Sequence, residues 1–306
     1  MALIDYAWGN REILGNESFF LLPWREKSES HPIVQMMART APVRFYRTAP
    51  ERETILHKER ADLFYVIKNG WNDGVFSHAV PTGIHAIFRE SEFHGDIYAY
   101  VSPWLSRTMS HGRTPHVPHM VRLPEFDQDL RHQLGIPEDA VVFGRHGGED
   151  SFDIPWVQSA VLETARKTPS VHFLFLNTRT FLGVDTLPNV HFLPATSDPC
   201  DKRAFLNTAD FMLHGRKRGE TFGLACLEFA ACGKKILSFG GSPEQAHLDL
   251  LGNQVQVYAD YRDLVRLLRQ KKPACLQESG LQTPDDPLMN FRPPAVMEKF
   301  RQVFLS

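Results

Sequence analysis

Two carboxylates separated by seven residues, Glu220 and Glu228, carry the most informative chemistry in this chain of 306 residues. They belong to the run Gly219-Glu220-Thr221-Phe222-Gly223-Leu224-Ala225-Cys226-Leu227-Glu228-Phe229-Ala230-Ala231-Cys232-Gly233. From Leu224 to Cys232 every side chain but Glu228 is apolar, which predicts a buried helix over Phe222 to Cys232, closed by Gly233 at its C-terminal end. A lone ionised carboxylate on such a helix must be paired or hydrogen-bonded. Glu228 therefore either forms a structural ion pair with a distant Arg or Lys, or accepts hydrogen bonds from ligand hydroxyls; the residues alone do not choose. Glu220 lies ahead of the helix, after a predicted strand at Phe211 to Leu213, and ligands of parallel sheets bind beyond the carboxyl ends of the strands. The N–H groups of Thr221, Phe222, Gly223 and Leu224 at the helix start form an anion site, with Gly223 permitting close backbone approach. Arg216, Lys217 and Arg218 place three cations beside it.

Other candidates are weaker. His85 lies in the apolar run Ile84 to Phe88, where it is either a ligand contact or a satisfied core histidine. Trp8 to Glu12 reads as a loop after a first strand. His111, His116 and His119 share a Pro-rich stretch with no carboxylate or Cys partner pattern, so no metal site is assigned there. The four cysteines, Cys200, Cys226, Cys232 and Cys275, have no CxxC spacing and read as reduced core thiols of a cytosolic protein.

The elements that must position these groups alternate between short apolar runs and amphipathic stretches. In the first part, strands are predicted at Leu3 to Tyr6, Val43 to Tyr46, Asp62 to Ile67, Ile84 to Phe88 and Ile97 to Val101. Helices are predicted at His31 to Arg39 and after Ser102-Pro103, with Ser as N-cap and Pro at the first helical position. Pro115, Pro118, Pro124 and Pro137 mark a linker. Beyond it, strands at Ala140 to Phe143, Val171 to Leu176, Val190 to Leu193, Phe211 to Leu213 and Lys235 to Phe239 alternate with helices at Ile154 to Lys167, Cys200 to Asn207 and Phe222 to Cys232. Such alternation means parallel sheets covered by helices. The expected architecture is two doubly wound α/β domains facing a cleft, residues 1–120 and 121–285, with a last helix in 286–306 that packs back on the first domain.

Composition narrows the function. With 34 Lys+Arg against 36 Asp+Glu, the net charge of −2 argues against a nucleic-acid binder that relies on a basic face. No apolar run reaches the roughly 18–20 residues that span a bilayer, and the N-terminus lacks the pattern of a signal peptide. The expected location is cytoplasmic, with peripheral membrane contact left open.

The segment E-T-F-G-L-x-x-x-E-F-A-A-C-G-K-K-I resembles the E-x7-E signature of family 4 glycosyltransferases. Phe143-Gly144-Arg145 followed by Phe152-Asp153-Ile154, and Asn189 to Leu193, are similar to two further segments of that family, so the resemblance covers roughly residues 120–260. It implies a GT-B fold of two Rossmann-like domains, the C-terminal one holding a nucleoside-diphosphate sugar. By the same resemblance, Glu220 would contact the donor sugar, Phe222, Gly223 and Leu224 would donate N–H groups, and Glu228 would bind the ribose. Arg145 would neutralise the diphosphate, with Gly147 and Gly148 letting the backbone approach it, and His85 would face the sugar. Where the family has a Lys after that Arg, this chain has Asp150 or Ser151, so Arg216 or Lys217 would supply the second charge. The implied activity is transfer of a sugar to a glycan or glycoconjugate acceptor hydroxyl, retaining and without a metal or other cofactor. The alternatives are a nucleotide-sugar epimerase and a non-catalytic nucleotide-sugar or glycan-binding protein.

Overall fold

The computed structural model describes residues 2–25, 30–181, 183, 187–270 and 287–306, and Cys275 lies outside them. The chain forms two compact units, Met1–Arg122 with Met289–Ser306, and Leu123–Leu288.

The first unit runs through α1 (Ala2–Glu12), β1 (Phe20–Pro23), α2 (Pro32–Thr40), β2 (Val43–Tyr46), α3 (Ala49–Lys58), β3 (Phe64–Lys68), β4 (Thr82–Ala86), β5 (Ile97–Tyr100) and α4 (Pro103–Ser110). Its strands are all parallel but divide into a two-stranded sheet, β1-β2, and a three-stranded sheet, β3-β4-β5. Ser102 caps α4 as its sequence predicts, its Oγ accepting from Leu105 N at 3.0 Å. The expected first strand at Leu3 to Tyr6 is instead the first turn of α1, and Trp8 to Glu12 is helix rather than loop. A short apolar run does not distinguish a strand from a helix buried on two sides. Here Ile4 packs with Phe20 and Met37, while Tyr6 faces a second cluster. That second cluster is completed by the C-terminal helix, Pro293–Phe304, which contributes Val296, Met297, Phe300 and Phe304 beside Ala99, Val117 and Met120.

The second unit contains α5 (Arg131–Leu134), β6 (Val141–His146), α6 (Pro155–Lys167), β7 (Val171–Leu176), β8 (Val190–Leu193), α7 (Pro199–Thr208), β9 (Phe211–His214), β10 (Gly219–Glu220), α8 (Leu224–Ala231), β11 (Lys235–Phe239), β12 (Glu244–Gln245), α9 (Ala246–Leu251), β13 (Val255–Tyr258) and α10 (Tyr261–Leu268). Six strands make one parallel sheet in the order β13-β11-β9-β6-β7-β8. The chain starts at β6, builds outward through β7 and β8, then returns to β9 on the other side. The strand order therefore reverses between β6 and β9, the topological switch point beyond whose carboxyl ends α/β proteins bind ligands. Central strands buried on both faces read as continuous apolar runs, and all six residues of β7 are buried. At Gly144 of β6 an added Cβ would lie 2.8 Å from Ala209 Cβ and 3.1 Å from Phe229 Cζ, so only glycine lets α7 and α8 pack this closely on the sheet.

Candidate functional site

The switch point gathers most of the sequence-derived candidates of the second unit. β9 ends at His214, and the chain then crosses Arg216, Lys217 and Arg218 to the two-residue strand β10, which pairs in parallel with β12. Gly219 is essential to that crossing. Its φ is +79°, and a Cβ there would sit 2.0 Å from the Glu244 carbonyl oxygen. Glu220 thus leaves a short paired strand rather than a free loop. The helix expected from Phe222 begins only at Leu224, because Gly223, its N-cap, has φ +88°. Thr221 and Phe222 therefore lie in the turn ahead of α8, while the Gly223 and Leu224 amides stand at its start.

Glu220 is held by two cationic or potentially cationic groups. His214 Nε2 lies 3.2 Å from its Oε1, and Arg216 Nη1 donates to its Oε2 at 2.9 Å. Burial pushes its pKa up, but the His214 hydrogen bond and the Arg216 charge outweigh this and bring it down to about 2. Glu228, 4 % exposed, is paired as well. Lys202 Nζ donates to Oε1 at 2.5 Å and His146 Nε2 lies 3.1 Å from Oε2. Burial again opposes ionisation, and the His146 and Lys202 interactions overcome it, leaving the pKa below the usual carboxylate range. Glu228 is thus ion-paired from two other elements, α7 and β6.

Arg145, at the end of β6, is only 3 % exposed. Its Nη1 donates to Asn177 O at 3.2 Å and to Thr178 Oγ1, and its Nη2 donates to Gly148 O at 2.8 Å and Ser151 Oγ at 2.5 Å. Nη2 thus holds the loop 147–151, in which Gly147 adopts φ +155°, while Nη1 holds residues 177 and 178 after β7. Burial lowers the Arg145 pKa to about 10, partly offset by Glu220, so it remains a cation behind the site. Asp150 forms an exposed pair with Arg179 Nη2 at 2.7 Å, whereas Ser151 takes the bond from Arg145. Arg179 also donates its N–H to Glu149 O at 3.0 Å. Sequence reading passed over this cation because it comes from the loop after β7, far from the motif. Of the three cations after β9, Arg216 is committed to Glu220 and Arg218 to Glu244, at 2.9 Å each. The Lys217 N–H donates to Asp153 Oδ1 at 2.7 Å, while its side chain is exposed and makes no ion pair among the described residues.

Outside this cluster the candidates separate. His85 is in the first unit with 0 % exposure, its Nδ1 2.5 Å from Tyr65 OH and its ring packed against Tyr6, His119 and Phe304. It is a core histidine, and burial holds its pKa well below the ordinary value; a side chain closed off in this way presents no atom to a sugar. His119 joins the same aromatic core, His111 is the left-handed C-cap of α4, and His116 Nε2 lies 2.5 Å from Lys299 Nζ. One aspartate pair went unread in the sequence: Asp127-Gln128-Asp129 has D-x-D spacing. Asp129 Oδ1 accepts from Arg131 N at 2.8 Å at the start of α5. Among the described residues no three His, Cys, Asp or Glu side chains are grouped to hold a metal ion. The expectation of core thiols holds for buried Cys226, whereas Cys200 and Cys232 are half-buried, and Arg203 Nη1 donates to Cys232 Sγ at 2.9 Å. A surface cavity of about 380 Å³ between α6 and α10 is lined by Glu163, Arg166, Lys167 and Tyr261 and shares no residue with the switch-point cluster.

Two residues of the cluster were not foreseen, Ser238 and His247. In the paired strands Ser238 lies opposite His214, and Ser238 Oγ is 2.9 Å from His214 Nδ1 and 2.7 Å from His247 Nε2. The available signal was a polar residue near the carboxyl end of each of two neighbouring apolar strands.

The chain matches no protein-family model and no curated protein. Solved structures are similar to it along nearly its whole length. HepE of Anabaena, in complex with UDP and glucose, is 14% identical, with 99% of this chain and 91% of that chain covered and a TM-score of 0.64. AviGT4, a glycosyltransferase involved in avilamycin A biosynthesis, is 13% identical, with 99% and 88% covered and a TM-score of 0.62. A glycosyltransferase from Rickettsia africae is 9% identical, with 99% and 89% covered and a TM-score of 0.60. The fold is GT-B-like. Helices on parallel sheets, as the alternating pattern predicts, are the features shared, and among the described residues no helix is long and apolar enough to cross a membrane.

Proposed function

We propose that this protein is a glycosyltransferase of the family 4 type that takes a sugar from a nucleoside-diphosphate sugar, a UDP-sugar, and passes it to a hydroxyl of a glycan or glycoconjugate. The observation that carries this reading is the pairing of ionised Glu220 with Arg216 beside the start of α8, at the switch point of the sheet. HepE was solved with UDP and glucose, which supports a uridine nucleotide as the donor's leaving group.

In this reading the donor's diphosphate meets the Gly223 and Leu224 amides, and Arg216 and Lys217 supply the positive charge. These groups stabilise the negative charge that develops on the leaving phosphate as the glycosidic bond breaks. Arg145 works from behind, keeping the loop 147–151 in shape and adding a fixed cation. Glu220 accepts hydrogen bonds from the sugar and faces the positive charge that grows on its ring. Glu228, kept ionised by Lys202 and His146, retains lone pairs for the ribose hydroxyls. Cations and helix-start amides do the work of a divalent ion here, so we propose metal-independent transfer, with retention of configuration following from the family resemblance.

The test is a thermal-shift screen with UDP- and GDP-sugars followed by a turnover assay. Binding at a hundred times the dissociation constant stabilises by about 2.7 kcal/mol. UDP release in the presence of EDTA is the expected result. A changed sugar without UDP release would indicate an epimerase, and binding without turnover a non-catalytic binding protein. Activity lost to EDTA and restored by Mn²⁺ would remove the metal-independent mechanism.

A further inference from the structure

We propose that His214, Ser238 and His247 form a buried hydrogen-bond relay that fixes His214 as its Nε2–H tautomer and thereby holds Glu220 in one orientation; the proposal rests on the reading of Glu220 as the group facing the donor sugar. The three side chains are 5 %, 0 % and 0 % exposed. The parallel register of β9 and β11 sets His214 beside Ser238, and the start of α9 delivers His247 to the same hydroxyl. Tyr258 OH donates to the His214 carbonyl oxygen at 2.7 Å, tying down the end of β9 from β13.

The hydrogen atoms along this chain follow from the donor and acceptor capacities of the groups. An ionised carboxylate only accepts, so the nitrogen facing Glu220, His214 Nε2, carries the hydrogen. In the neutral ring Nδ1 then offers a lone pair, and the Ser238 hydroxyl donates into it. The same hydroxyl oxygen accepts from His247 Nε2–H. His247 Nδ1 is left without a hydrogen, and among the described residues it has no hydrogen-bond partner. Every link therefore points the same way, toward Glu220. Glu220 and the relay bias the ring in the same sense: the other tautomer would turn a lone pair against the carboxylate and set two ring N–H groups on the one Ser238 oxygen. Arg216 already holds the second oxygen of Glu220, so the His214 bond decides how the carboxylate is presented. His214 and Ser238 are positioning residues in this account, since Glu220 alone among them faces the sugar.

The experiment is nitrogen NMR of protein labelled at histidine, combined with UDP titration and turnover of UDP-glucose. In the unmodified protein His214 is expected as a single Nε2–H tautomer; a His214 carrying its hydrogen on Nδ1 would overturn the relay without recourse to any variant. In Ser238→Ala, where Glu220 alone biases the ring, the Nε2–H preference should weaken, kcat should fall about tenfold, and the dissociation constant for UDP should stay within about twofold, the pattern expected when orientation rather than ground-state binding is lost. Ser238→Thr, which keeps the hydroxyl, should keep the tautomer and recover most of the rate. A Ser238→Ala protein with the original tautomer and unchanged kcat defeats the proposal. Failure of the unmodified chain to bind UDP, with His214 still Nε2–H, defeats the nucleotide-sugar reading and leaves the relay in place.

Discussion

At the scale of single residues, Glu220 and Glu228 are both ionised and both paired, but their surroundings differ in a way that kinetics can read. Glu228 sits inside α8 between Lys202 and His146, and in the proposed reading it meets the ribose, a part of the donor that does not change during reaction. Glu228→Gln should therefore mainly raise KM, by the roughly 1–2 kcal/mol of a charged hydrogen bond. Glu220 stands ahead of the helix where the sugar would lie, and its charge matters most when the ring becomes cationic. Glu220→Gln should chiefly lower kcat, by about a hundredfold. Steady-state measurements that returned the opposite split would reverse the placement of the donor. The arginines separate in the same manner. Arg216 has one carboxylate partner and in the proposed reading serves the diphosphate, so Arg216→Ala should weaken UDP binding by about tenfold, or 1.4 kcal/mol, in a calorimetric titration. Unchanged affinity would remove Arg216 from the diphosphate. The neighbouring cation Arg145 spends Nη2 on the loop 147–151 and Nη1 on residues 177 and 178, so it ties two loops together.

At the scale of elements, the site depends on a crossing that tolerates no side chain. β10 and β12 each contain only two residues, yet their pairing turns the chain from the cationic segment 216–218 into α8. Gly219 stands at φ +79° with the Glu244 carbonyl where a Cβ would go. Gly219→Ala should cost about 2–4 kcal/mol in denaturant unfolding, through left-handed strain and a backbone clash together. A loss under half a kcal/mol would show that the β10–β12 pairing can shift freely. Gly223, at φ +88° and 2.7 Å from His247 Cβ for any added Cβ, works the same way one turn later. It explains why the helix predicted from Phe222 starts two residues further on.

At the scale of the whole molecule, the C-terminal helix belongs to the first unit although it is last in sequence. Phe300, 4 % exposed, packs against Tyr6, Tyr65 and Phe304. Phe300→Ala should destabilise the first unit by about 3–5 kcal/mol. The melting transition seen by circular dichroism should drop accordingly. A melting curve superimposable on that of the parent would show that the helix contributes no packing energy.

Much of the second unit was legible from residues alone, and for a physical reason. Strands buried on both faces must be continuously apolar, and the helices between them must be amphipathic, so β7, β8 and β11 appear in the sequence at the ranges they occupy in space. Glu228 was equally visible, because a charge inside an apolar helix demands a partner; that the partners are Lys202 and His146, from α7 and β6, was not. The first unit was less legible. Leu3 to Tyr6 has the composition of a strand, and only the two apolar clusters it divides make it a helix. His85 could be read as a ligand contact until Tyr6, Tyr65, His119 and Phe304, distant in sequence, closed a core around it. Asp150 and Arg179 compensate one another across two loops, and His214, Ser238 and His247 meet only because parallel register aligns two strand ends beside a third element. Composition, periodicity and a motif of local spacing are properties of neighbouring residues, and they can be read along the chain. Which charge neutralises which, and which histidine is sealed in a core, depend on residues tens of positions apart that meet only when the chain folds.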